Sequence, residues 1–138
     1  MIKPRISAII WSFFIWIAAI SFFMVFGADL LLAPEEESFL LLWVALEIVT
    51  ALLLYVGAIL YARIHPAPDA GLAFGVYGST VGLLLDALVI WQHSFFFPSF
   101  SQGQLLAFVI WMSFAYGLYL VIPQWVDRRS MIKHNQKG

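Results

Sequence analysis

Two carboxylates in this 138-residue chain stand where a carboxylate is expensive. Asp86 lies inside "YGSTVGLLLDALVIWQH" (77–93) and Glu47 inside "LLLWVALEIVTALLL" (40–54), each the lone acid of an apolar run. Two carboxylates brought close together without a cation repel, so at least one holds or shares a proton near neutral pH. The chemistry such a pair offers is proton sharing or cation binding. A plainer use exists for the same residues. A protonated Asp86 can donate to Ser113 or Thr50 on a neighbouring helix, and intramembrane bonds of this kind average about 0.6 kcal/mol, enough to fix register.

Other chemistries find less support. The chain has 0 cysteines, which removes disulfides, thiolate nucleophiles and iron–sulfur or zinc-thiolate sites. His65, His93 and His134 are too scattered for a bis-histidine haem or a metal cluster, so neither cofactor nor metal is expected. His93 with Ser94 or Ser99 has no oxyanion-hole signature beside it. No nucleic-acid motif is present, and no enzymatic chemistry is expected.

The elements that position the two acids follow from composition. The chain is 63% hydrophobic and 11% charged, far more apolar than a soluble domain. A bilayer core of about 30 Å needs about 20 helical residues, and four apolar stretches satisfy that: about 6–27, 39–62, 70–93 and 103–125. The fold class expected is all-α, an integral membrane four-helix bundle forming a single domain over 1–138. Pro4 precedes the first span, "APEEES" (33–38) offers Ser38 as an N-cap, and "HPAPDAG" (65–71) cannot continue a helix. The first span lacks a small-x-small cleavage site and is read as retained.

All 7 basic residues fall at one end: Lys3, Arg5, Arg63, Arg128, Arg129, Lys133 and Lys137. Glu35, Glu36 and Glu37 crowd the first connection at the other end. The positive-inside rule then puts both termini and the middle loop in the cytoplasm. "HSFFFPSF" (93–100) is either an interfacial loop or a docking surface, and the basic tail 127–138 is explained by topology or by anionic lipid.

Depth and face bring the acids together on paper. Counted at 1.5 Å per residue, Asp86 lies about 10 Å and Glu47 about 12 Å from the acidic-loop end. Ser21 and Ser113 fall near the same level, and His93 continues the Asp86 stripe, which suggests one polar layer. On the third span Gly75, Ser79, Gly82 and Asp86 follow steps of three and four, so small residues on that face allow close helix packing. On the second, Trp43, Glu47, Thr50, Leu54, Gly57 and Tyr61 form a similar stripe. An aspartate costs about 2.5 to 3.5 kcal/mol at a helix centre, so Asp86 is expected to face inward rather than toward lipid.

The segment from "GLLLD" (82–86) through "FFFP" (95–98) into the fourth span resembles small four-helix bacterial membrane proteins of a domain-of-unknown-function family. That resemblance implies a bacterial inner-membrane location and carries no activity. The chain is also similar to small multidrug-resistance exporters in helix number and size, but those rely on an acid in the first helix and the first span here has none. The expectation is therefore an accessory or interaction subunit of a membrane assembly, or a homo-oligomer associating through faces such as Phe13, Phe14, Ile17 and Ile20. The alternative is a small proton- or cation-coupled transporter using Glu47 and Asp86. The partners expected are the lipid bilayer and another membrane protein or a second copy.

Overall fold

The computed structural model describes residues 4–137. Lys3 lies outside them, as do the side chains of Lys133, His134 and Lys137. Apolar runs unbroken by proline form α1 (Pro4–Leu30), α2 (Phe39–Ile64) and α3 (Ala70–Trp91); a short α4 (His93–Phe96) and the long α5 (Gln102–Lys137) follow. α1, α2, α3 and the apolar part of α5 (Gln102–Arg129) are each long and apolar enough to cross a membrane, which gives the chain the four spans of a multi-pass membrane protein.

Several helix ends differ from expectation, α1 and α2 by running a few residues longer. α5 continues to Lys137 rather than stopping near 125, because loss of hydropathy does not end a helix and the tail contains no breaker before Gly138. Pro123 lies inside α5. Ser38 occupies the N-cap position of α2, yet its side chain makes no capping bond. The third span ends at Trp91 rather than His93, and His93 begins α4.

The helices are not arranged in chain order. α3 packs along both α1 and α5, and α2 packs along α5, with a lesser contact to α3. The spatial order is thus α1–α3–α5–α2. α2 meets α1 near the terminal end, where Ser7 Oγ and His65 Nε2 are 2.5 Å apart and Trp11 meets Tyr61 edge-on.

Glycine explains why α3 is central. A Cβ on Gly75 would stand 2.7 Å from the Tyr119 carbonyl oxygen, and one on Gly71 would collide with the Pro123 carbonyl. These backbones touch because there is no side chain between them, the packing that small-residue faces permit in lipid. The predicted helix-packing residues Gly75, Ser79 and Gly82 are all buried.

Side chains tie both ends. Asp127 on α5 accepts from the backbone N–H groups of Gly71 (2.8 Å) and Leu72 (2.9 Å), capping α3 from a different helix. At the opposite end Ser101 and Gln104 form a reciprocal capping box for α5. The Gln104 amide also donates to the Ala28 (2.7 Å) and Leu31 (3.0 Å) carbonyls, satisfying the frayed end of α1. "HSFFFPSF" folds onto that end: Phe97 is buried, stacks on Phe100 at 4.4 Å and packs on Phe108, while Phe95 stays exposed.

Candidate functional site

Asp86 is buried at 3% exposure and both its oxygens are engaged. Trp16 Nε1–H on α1 donates to Oδ1 at 2.8 Å, and the Tyr116 hydroxyl on α5 donates to Oδ2 at 2.5 Å. One carboxyl therefore joins three helices. Gly82, one turn before Asp86, makes room for this: a Cβ there would collide with the Tyr116 hydroxyl and ring. The small-residue stripe of α3 is thus what lets Tyr116 reach the acid.

Glu47 is buried at 5% exposure, and its situation is the reverse. Neither of its oxygens reaches a partner at hydrogen-bonding geometry among the described residues; the Trp43 indole N–H, one turn earlier, lies against the carboxyl but also stops short of that geometry. Trp43 packs edge-on against Phe114 of α5 at 5.1 Å. It also lines a small cavity with Leu31, Leu32, Phe39, Leu42, Leu46, Ala107 and Trp111.

The expected Glu47/Asp86 pair is not formed. Asp86 is held by Trp16 and Tyr116, and Glu47 does not bond to it. Register along α5 gives the reason. Trp111 donates to Thr50, one turn below Glu47, at 3.1 Å, whereas Asp86 is met by Tyr116, five residues or about 7.5 Å further along. Counting down from each helix end assumed level ends. The folded 92–101 segment lets α3 stop short, so Asp86 lies deeper than Glu47.

The remaining polar-layer residues divide. Thr50 Oγ1 donates to the Leu46 carbonyl at 2.8 Å and accepts from Trp111, so it joins α2 to α5. Ser113 is exposed and donates to the Val109 carbonyl on its own helix, and Ser21 is exposed as well. Both were placed by depth alone; each points off the bundle. His93 is half-buried in α4, beyond the break at Gln92, and does not bond to Asp86.

Sequence reading missed Ser7, Ser12 and Tyr119 in a second group of buried polar side chains nearer the terminal end, and named Ser79 and Tyr61 there only as members of helix stripes. Ser7, Ser12 and Ser79 are buried, as are Tyr61 and Tyr119. Ser12 donates to the Ala8 carbonyl at 2.6 Å. The Tyr61 hydroxyl lies against Ser7, and the Tyr119 hydroxyl lies against Ser12. Phe74 packs at a tilt between the two tyrosine rings, 5.3 Å from Tyr61 and 5.1 Å from Tyr119. The available signal was the spacing of Ser12, Trp16, Ile20 and Phe23 on α1, which marks one face. The uniformly apolar surroundings concealed it. Among the described residues, no cluster of three or more His, Cys, Asp or Glu side chains could hold a metal ion.

Comparison with known proteins gives this geometry a lineage. The chain is 42% identical over 90 residues to the uncharacterized protein YnzE of Bacillus subtilis (strain 168). That alignment covers 65% of this chain and 89% of YnzE. The chain belongs to the YnzE family. No family model matches the chain, and no solved structure matches it either. The likeness to small bacterial proteins of unknown function thus holds at the level of YnzE, a relative that lends the chain no activity.

Proposed function

We propose that the protein is a small multi-pass component of the bacterial plasma membrane, with both termini cytoplasmic, acting as an accessory subunit or as a homo-oligomer and carrying no enzymatic chemistry of its own. The observation that carries this reading is the Trp16–Asp86–Tyr116 tie. It gives the acid a structural task, joining α1, α3 and α5 through two satisfied hydrogen bonds. Almost all the remaining mass is apolar helix, with side chains such as Phe14, Leu41, Leu53, Leu84 and Val121 exposed on the outside. The orientation rests on Arg5, Arg63, Arg128 and Arg129 at one end, against Glu35, Glu36 and Glu37 at the other.

Native mass spectrometry of the protein, gently extracted from its own membrane, tests the assembly. A stable heteromeric or homo-oligomeric mass is expected; a lone monomer overturns it. Because the chain contains no cysteine, single-cysteine variants at Ser38 and Gln136 test orientation, with Gln136→Cys shielded from an impermeant thiol reagent in intact cells.

A second reading, a proton- or cation-coupled transporter, draws on one observation: Glu47 is a buried carboxyl that lies against the Trp43 indole but completes no bond at hydrogen-bonding geometry among the described residues. An unsatisfied buried acid is costly to retain for structure alone. On that reading Glu47→Gln abolishes transport in proteoliposomes while leaving insertion intact.

A further inference from the structure

The basic end of the bundle holds cations that no acid of the chain answers. Arg5, Arg63, Arg128 and Arg129 are exposed there, and none forms an ion pair among the described residues. The acids at that end are Asp69, exposed in the loop before α3, and Asp127. Asp127 lies two residues from Arg129, but both its oxygens are taken by the Gly71 and Leu72 N–H groups. The counter-anion of Arg129 therefore comes from outside the chain.

Arg129 is also held in a particular place. Its guanidinium lies over the Trp125 ring, 4.7 Å from the centroid, and that half-exposed ring meets Tyr55 of α2 at 5.9 Å. Stacking occupies the face of a guanidinium and leaves its in-plane N–H fork free, the part that matches phosphate. Depth agrees. Arg129 is the last residue of its span and Arg63 the last but one of α2, so both stand where apolar helix gives way to headgroups.

α2 and α5 run parallel, since both leave the end where Gln104 meets Ala28 and Leu31. Tyr55, Ile59 and Arg63 follow steps of four on α2, as Trp125 and Arg129 do on α5, so the two stripes border one seam. With the two rings level, Arg63 lies about 6 Å beyond Arg129 along the axis, an offset that arginine's long stem can span. Tyr55 and Ile59 pack on the apolar core and give the seam an apolar floor. Arg128 stands about 100° away around α5.

We propose that this seam binds the phosphate of an anionic phospholipid, with Arg63 and the Trp125-braced Arg129 as its cations and Tyr55, Ile59 and Trp125 against the upper part of the lipid chain. A zwitterionic lipid would bring its own ammonium beside two unpaired arginines, so the seam prefers the anionic class. The proposal needs only the four spans. It stands in either orientation and independently of any partner chain.

The full-length protein in dodecylmaltoside micelles is titrated with phosphatidylglycerol or phosphatidylcholine, and bound lipid is counted by native mass spectrometry. Phosphatidylglycerol is expected to bind roughly tenfold more tightly. Arg129→Gln should weaken it roughly tenfold, and Trp125→Leu, which alters no charge, severalfold. Arg128→Gln, an equal loss of charge on another face, should change it by about twofold at most. Equal binding of the two lipids overturns the proposal. So does an equal loss in Arg128→Gln and Arg129→Gln, the mark of diffuse surface charge, or an unaltered affinity in Trp125→Leu. Displacement of the bound lipid by millimolar inorganic phosphate would assign the site to the free ion and overturn it as well.

Discussion

Replacing Asp86 by alanine and by asparagine separates a structural tie from a proton site. Alanine removes both acceptors and leaves the Trp16 N–H and the Tyr116 hydroxyl without their partners. Intramembrane hydrogen bonds average about 0.6 kcal/mol and reach about 1.7, so two of them amount to about 1 to 3.5 kcal/mol. Asparagine keeps the geometry: its carbonyl oxygen accepts from the Trp16 donor, and its amide donates to the Tyr116 oxygen, reversing that bond. Asp86→Asn should therefore cost less than about 1 kcal/mol. The assay is reversible unfolding in mixed micelles against rising SDS fraction, followed by far-ultraviolet circular dichroism. A double-mutant cycle with Tyr116→Phe isolates the α3–α5 half of the tie, and a coupling of about 0.5 kcal/mol or more is expected for groups in direct contact. If Asp86→Ala unfolds within about 0.5 kcal/mol of the native chain, or if asparagine damages as much as alanine, the tie does not hold the three helices.

Three further outcomes are expected in the same assay. Gly75→Ala should cost about 1 to 3 kcal/mol, because its Cβ would meet the Tyr119 backbone oxygen at 2.7 Å, while Gly117→Ala, with nothing within 4 Å, should be neutral or slightly stabilising. Glu47→Leu should stabilise the protein by about 1 to 3 kcal/mol by removing an unsatisfied buried acid; a loss of stability would mean that Glu47 is bonded in the membrane. Asp127→Ala should cost about 1 kcal/mol through loss of the cap on α3 and should accelerate amide exchange at Gly71 and Leu72 first, whereas uniform acceleration along α3 would refute a capping role.

The four spans were legible because length and hydropathy alone mark a segment that crosses a bilayer, and the two prolines of 66–68 force a break whatever surrounds them. The inward face of Asp86 was legible for a different reason. Gly75, Ser79 and Gly82 contrast with the leucines around them, so α3 announces its own azimuth. α1 offers no such contrast. Ser21 was placed in the polar layer by depth, but its face is shared with Phe22 and Val25, both exposed. Ser113 failed in the same way beside Phe114. The donors to Asp86 were overlooked because Trp16 and Tyr116 read as bulk in an apolar run, and only their polar edges matter here. The pairing of Glu47 with Asp86 failed on vertical offset, a property of the 92–101 segment that neither helix encodes.

The spatial order α1–α3–α5–α2 has a consequence for how the protein is made. The ribosome delivers helices in chain order, but α2 finds its principal neighbour only in α5. Arg129, the end of that span, is synthesised 65 residues after Ile64. At about 5–20 residues per second this interval lasts roughly 3 to 13 s. During it α2 resides in or beside the insertion machinery with Glu47 uncovered and only its lesser contacts available. Nascent chains halted between α3 and α5 should consequently crosslink to membrane insertion factors through α2 and release them once α5 emerges. In this chain α2 waits for the last helix to arrive before it meets its principal neighbour.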